Sequence, residues 1–300
     1  MPETFKRGRL ASDPAKLARC LRLERYVDFD DLLPLVPLAS SYASTQPWGM
    51  LGNDTVGDCT CAAAGHADQI AETYGDKMVV PVVTADEILS AYSAITGYNP
   101  DDPNSDTGAN MLDVLRYWQK TGIAGEKITA YVAFDPTNAD HWRAVNYLFG
   151  FAYVGVWLPQ SVVNALPSII DWTDESSPVV QQDGHCVITA GYDAAGPKPV
   201  TWGDEIKATW GFMSKRCDEA YAVLLPTWAL GDPAGFDLAQ LLADLKVVQG
   251  GAPLPAPTPA PIPPVPPTPP TPKPTPDPSV IKTWIADLEA FLKYLKGLLK

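Results

Sequence analysis

The sequence is short of several things that would each have placed it quickly. It holds three histidines in 300 residues, so chemistry that needs an imidazole has only His66, His141 and His185 to draw on. No stretch approaches the roughly 18 consecutive apolar residues of a membrane-spanning helix. The opening, MPETFKRGRLASDPAKLARC, carries charge but no apolar core, so no cleaved secretory signal is expected there. Basic residues are outnumbered 22 to 35 by acidic ones, for a formal net charge of -13. No basic run is long enough to neutralise phosphates against that background, and nucleic acid is not an expected partner. The five cysteines are odd in number and lack the spacing of a small disulfide scaffold. A cytoplasmic chain with free thiols, or one exported without a cleaved signal peptide, fits these absences.

What is present divides the chain into four parts. Residues 1–45 read as an N-terminal arm, proline-punctuated in LPLVPLASSYA and suited to packing across a body. Residues 46–248 form that body. Thr84 with Glu87 is a capping-box pair heading the helix ADEILSAYSAITG. Met111, Leu112, Leu115 and Trp118 fall at helical spacing in MLDVLRYWQKTG, after a turn-rich loop from Tyr98 to Asn110. Beyond Gly122 the period changes. KITAYVAF, FGFAYVGVWL, HCVITAGYD, VTWG, KATWGFM and EAYAVLLP are short aromatic and β-branched runs that read as strands, with one helix from Asp140 to Leu148 among them. A helical half followed by a β-rich half is an α+β arrangement. Residues 249–278 are a proline-rich spacer, extended because proline lacks a donor and holds its backbone near polyproline II. Residues 279–300 carry Ile281, Trp284, Ile285, Leu288, Phe291, Leu292, Leu295 and Leu299 on one stripe of an amphipathic helix. That stripe suits docking on the body, self-association, a partner protein's groove or a membrane surface.

The chemistry concentrates in GNDTVGDCTCAAAGHADQIAETYG, from Gly52 to Gly75. Cys59 and Cys61 are closer than the usual C-x₂₋₄-C zinc pair, although Cys59, Cys61, His185 and Cys186 could together make a metal set. Redox chemistry favours C-x-x-C. A cysteine in the first turn of a helix has unpaired backbone N–H groups beside its sulfur, which favour the thiolate and can hold an oxyanion. The small residues Ala62, Ala63 and Ala64 let such a helix pack closely behind the site. The cysteine then needs an imidazole. His66 lies two turns further along the same helix and reads as a packing residue; His141 heads another helix as a surface or capping residue. His185 opens a strand in the β half, where it can face a helix N-terminus across a cleft. Cys59 as nucleophile and Cys59 as buried structural thiol both stand at this point, as do the two corresponding readings of His185.

Three motifs, in order, carry a resemblance over about residues 45–228. VGDCTCAAAGH, with Asn53 six residues before Cys59, resembles the active-site helix of papain-like cysteine peptidases. GHCVITAGYD resembles that family's histidine strand, and VTWGDEIKATWGFMSKRCDEAYAVL its closing segment of two Trp-Gly pairs and a strand. The resemblance implies a two-lobed papain-like fold with Cys59 as nucleophile, His185 as general base and then acid, and Asn53 as the oxyanion amide, one methylene shorter than the family's glutamine. It implies hydrolysis or acyl transfer of a peptide or amide bond in a peptide or protein substrate through a thioester, with no cofactor and no metal. The family's histidine-orienting asparagine has no counterpart. Alignment on Trp202 puts Val200 there, whereas separation from His185 puts Thr201 there, which can hydrogen-bond an imidazole; Asp183 or Asp204 could act from another direction. The arm is short for an inhibitory pro-segment. The alternative is a catalytically inactive module acting in assembly or attachment through its spacer and terminal helix.

Overall fold

The two halves of the body form around different periodicities, and their meeting line holds the cysteine helix. A computed structural model describes residues 5–42, 47–74, 82–226 and 235–250, all within one unit, residues 1–254. The spacer from residue 251 and the helix expected at 279–300 lie outside the described residues.

In chain order the first half runs β1 (Arg9–Leu10), α1 (Pro14–Leu17), α2 (Phe29–Leu32), β2 (Ser40–Ser41), α3 (Cys59–Tyr74), α4 (Ala85–Thr96), β3 (Ala109–Asn110) and α5 (Met111–Lys120). The capping box at Thr84 and Glu87 is formed, and Gly97 ends α4 in the left-handed region. Helix α5 starts at Asn110, whose side chain accepts from the Asp113 N–H, and buries Met111, Leu112, Leu115 and Trp118. Each such burial contributes about 1.5–3 kcal/mol in transfer free energy. Helix α3 differs from α5. It is buried on nearly every side, which its alanines allow because they let neighbouring elements approach closely.

The second half runs β4 (Ala130–Ala133), α6 (Ala139–Phe149), β5 (Ala152–Pro159), α7 (Gln160–Ala165), β6 (Val179–Tyr192), β7 (Pro197–Thr201), β8 (Asp204–Glu205), α8 (Trp210–Arg216), β9 (Cys217–Leu224) and α9 (Leu238–Gln249). Its strands form an antiparallel sheet in the order β4-β9-β5-β6-β7-β8, with β2 added to β6. One apolar cluster surrounds α3, α4 and α5 and another fills the β-rich side; strands β5, β6 and β9 contribute to both, since alternate side chains point to opposite faces. The architecture is α+β, helical half first.

The run KATWGFM is not a strand. The Thr209 side chain accepts from the Phe212 N–H and caps α8, and Phe212 and Met213 are both buried although adjacent, which helical spacing permits and a one-sided strand does not. The arm packs into the body. Leu21, Leu23, Tyr26, Leu32 and Val36 belong to the core, and residues 25–28 pair with residues 235–244: Arg25 and the Tyr26 hydroxyl both meet Asp244, while Val27 bridges Phe236.

Candidate active site

Asp58 is the last residue before α3, and its carbonyl accepts from the Cys61 and Ala62 N–H groups. Cys59 therefore occupies the first turn of that helix, with only 1% of its surface exposed. Burial pushes its thiol up to about 11; the Gly8 and Cys186 backbone groups pull the other way but do not prevail. The neighbouring Asp58 carboxyl is buried and held well above the usual carboxylate range, despite the opposing pull of the Asn53 amide and its own backbone N–H. A neutral Asp58 leaves the helix terminus without an anion beside the sulfur.

His185 is on β6, next to Cys186, and is 1% exposed. Its Nε2 lies 2.8 Å from the Thr201 Oγ1 on β7, and the Trp202 indole stacks on the ring at 4.4 Å between centroids and 16° between planes. Trp202 reaches that position with a φ of 46°, a left-handed backbone that the following Gly203 continues. Nδ1 is buried and has no hydrogen-bond partner among the described residues. Burial, then the Arg7 charge, then His66, lower the imidazole to about 3, so it is neutral at ordinary pH.

The remaining residues singled out in the sequence fall as follows. Asn53 is buried, and its Nδ2 donates to the Val56 carbonyl at 3.1 Å. Val200 pairs with Ile188 within the sheet, Asp183 pairs with Arg7, and Asp204 is exposed on β8, so Thr201 alone of these four meets the imidazole. His66 is a packing residue, its Nε2 on the Gly49 carbonyl at 3.0 Å and its pKa lowered by burial to about 4. His141 is buried rather than superficial: it stacks on Phe29, and its Nδ1 accepts from the Asp135 N–H. All five cysteines are free thiols. Among the described residues no cluster of three or more His, Cys, Asp or Glu is placed to hold a metal ion.

The sequence reading missed what covers the pair. Residues 5–10 cross the site between the two halves. Lys6 donates from its backbone to the Asn53 carbonyl at 3.2 Å and accepts from the Trp202 indole at 3.1 Å; Arg7 Nε meets Asp183 at 2.6 Å. Gly8 accepts from the Ala109 N–H at 2.8 Å, and β1 then runs parallel to β3. Gly8 approaches Gly57 so closely that a Cβ there would lie 1.8 Å from the Gly57 carbonyl oxygen. Residues 5–10 therefore pack against both the turn that leads into α3 and the strand pair that carries His185 and Thr201. A signal existed in the sequence: Lys6, Arg7 and Arg9 form a small basic cluster on an acidic chain.

Comparison with known proteins places this geometry. No family model and no curated protein matches the sequence. Solved structures do match. Xylellain, a cysteine protease from Xylella fastidiosa, superposes with a TM-score of 0.56 at 14% identity, covering 74% of this chain and 97% of its own. The fold is papain-like. ProCathepsin B S9 from Trypanosoma congolense matches with a TM-score of 0.51 at 10% identity, over 74% of this chain and 87% of its own. Residues 5–10 touch the turn before α3 at Asn53 and Gly57 and the β6–β7 side at Asp183 and Trp202.

Proposed function

We propose that the protein is a thiol-dependent peptide or amide hydrolase held latent by its own arm. The observation that carries this reading is the state of His185: one ring nitrogen is fixed on Thr201, while the other is buried and unspent, one residue from Cys186, which shares an apolar cluster with Cys59. A structural histidine in a dry core would normally satisfy both nitrogens. Nδ1 is the nitrogen left to take the thiol proton.

The reaction then runs as acyl transfer. The Cys59 proton passes to His185 Nδ1, and the sulfur attacks the substrate carbonyl carbon. The oxyanion is held by the Cys59 backbone N–H and by the Asn53 amide, which must turn from Val56 and Asp58 to reach it. Collapse breaks the carbon–nitrogen bond, and the imidazolium gives its proton to the departing amine. Water attacks the thioester, His185 takes its proton, and the acid leaves as the Cys59 thiol is restored. None of this can proceed with the arm in place: thiol and imidazole are both neutral, and no substrate can reach them.

A second reading, an inactive papain-like module, draws on that same neutrality and burial. One experiment separates the two. Gly8→Leu places a side chain where the Gly57 backbone stands and should lift residues 5–10 away. Site-mapped iodoacetamide labelling near pH 6 should then find Cys59 reacting well ahead of the other four thiols, and adding His185→Ala should slow it. If lifting the arm leaves Cys59 no more reactive than Cys20, the inactive module is the better account.

A further inference from the structure

The arm residue after Gly8 is a buried cation. The Arg9 guanidinium is completely buried, and its Nη2 contacts Asp218 at 2.7 Å and Glu219 at 3.1 Å. Asp218 and Glu219 are consecutive in β9, so in a regular strand they would point to opposite faces. They converge because the register between β5 and β9 slips there: Gly155 pairs with Glu219 and Val156 with Cys217, leaving Asp218 as the extra residue of a bulge. Bulges of this kind re-aim side chains next to functional sites. The rest of the pocket is shaped for a flat cation. Gly155 leaves the space that the guanidinium fills, since a Cβ there would lie 2.2 Å from the Arg9 Nε and 2.7 Å from the Met111 sulfur. The Trp157 ring covers the guanidinium at 5.0 Å, a contact arginine makes better than lysine. Groups of the body hold both carboxylates: the Tyr221 hydroxyl donates to Glu219 and the Trp157 indole to Asp218, while the Ser12 hydroxyl adds a second bond to Glu219.

Arg9 and Ser12 belong to the arm, whereas Asp218, Glu219, Gly155, Trp157 and Met111 belong to the body. The pocket opens one residue away from Gly8, which packs against the backbone of Gly57, two residues before Cys59. We propose that this bulge-built acidic pocket is a recognition site for an arginine side chain of an incoming peptide, next to the bond presented to Cys59, and that Arg9 fills it in the closed state as that arginine's stand-in. The proposal rests on the latent-hydrolase reading and names its substrate class: basic peptides, whose charge also suits a chain of formal net charge -13. Two charge-assisted contacts in a buried pocket make an arginine peptide favoured by at least about tenfold over one with leucine in its place.

The test uses the full chain carrying Gly8→Leu with Arg9→Ala, which empties the pocket. Calorimetric titration compares the synthetic peptide FKRGRLAS, residues 5–12, with FKRGLLAS. Tighter binding of the arginine peptide by tenfold or more, with the ratio narrowed by Glu219→Gln, is the expected result. Equal binding of the two peptides overturns the proposal. Should Glu219→Gln fail to fold, Asp218→Asn at the half-exposed carboxylate must narrow the ratio instead, and an unchanged ratio there also overturns it. In parallel, internally quenched peptides with arginine, leucine or glutamate stepped through the positions flanking the scissile bond are offered to the same chain. Cleavage without preference for arginine counts against the pocket and leaves the hydrolase standing. Selective binding with no cleavage of any peptide counts against the hydrolase and leaves the pocket standing.

Discussion

Residues 5–10 and residues 21–36 are two stretches of one arm, yet they hold to the body in different ways. The later stretch gives Leu21, Leu23, Tyr26, Leu32 and Val36 to the core and is tied to α9 through Asp244. The earlier stretch buries no large aliphatic side chain; it is held by main-chain hydrogen bonds at Lys6 and Gly8, by the short β1–β3 pairing, by Phe5 against Trp202 and by ion pairs at Arg7 and Arg9. Net contributions of such hydrogen bonds are about 1 kcal/mol each, whereas core side chains contribute severalfold more. The difference separates a stretch that is part of the fold from a stretch that behaves as a bound ligand.

Substitutions can break that contrast or sharpen it. The largest effect is expected in the later stretch: Leu32→Ala, at a fully buried position, should cost about 2–5 kcal/mol of unfolding free energy by urea titration. Gly8→Leu, with the loss of Arg9 from Glu219 included, should lower that free energy by less than Leu32→Ala does while raising the Cys59 alkylation rate roughly a hundredfold, as expected when one buried local structure opens without global unfolding. If Gly8→Leu destabilises as much as Leu32→Ala, the two stretches are not distinct and the ligand-like description fails.

Acid comes next. His185 and His66 are held near 3 and 4, below the ordinary 6.5 of an unfolded chain, so the unfolded state binds more protons in that interval. The stability they contribute is complete above about pH 6.5 and is lost as pH falls toward their folded values. The slope should approach roughly 2–3 kcal/mol per pH unit near pH 5 with both histidines titrating. His66→Gln should reduce it by about half; a flat urea midpoint between pH 7 and 5 would show that neither histidine is buried as described. The smallest effect is at Thr201. In the Gly8→Leu background, Thr201→Val should slow Cys59 alkylation near pH 6 by about tenfold, through loss of ring placement, with Thr201→Ser restoring most of it.

Much of the helical half was legible because its signals are local. The Thr84–Glu87 box and the Met111–Trp118 stripe depend on residues three and four apart, and the α3 terminus follows from small residues after a glycine-bearing turn. Thr201 was reachable by counting from His185, although the Trp-Gly alignment pointed to Val200 instead. What escaped depended on contacts distant in sequence or on a one-residue slip. Thr209 capping α8 overrode an aromatic run that reads as a strand. The bulge at Asp218 is invisible without the β5 register, and so is the convergence of two adjacent carboxylates. The path of residues 5–10 was hinted at by three basic residues, but their destination is set by groups more than a hundred positions away at Asp183, Trp202, Asp218 and Glu219.

The anchoring of the arm at Leu21 and Leu23 has a consequence for how the site can be opened. Roughly ten residues separate the covering stretch from a point fixed in the core, and a tether of that length keeps it at an effective concentration in the millimolar range. Closure is then unimolecular, so dilution leaves it unchanged and the same fraction of molecules is shut at any abundance. A competing peptide must outmatch that local concentration, whereas a single cut between residues 10 and 21 would lower it to whatever the released fragment reaches in bulk.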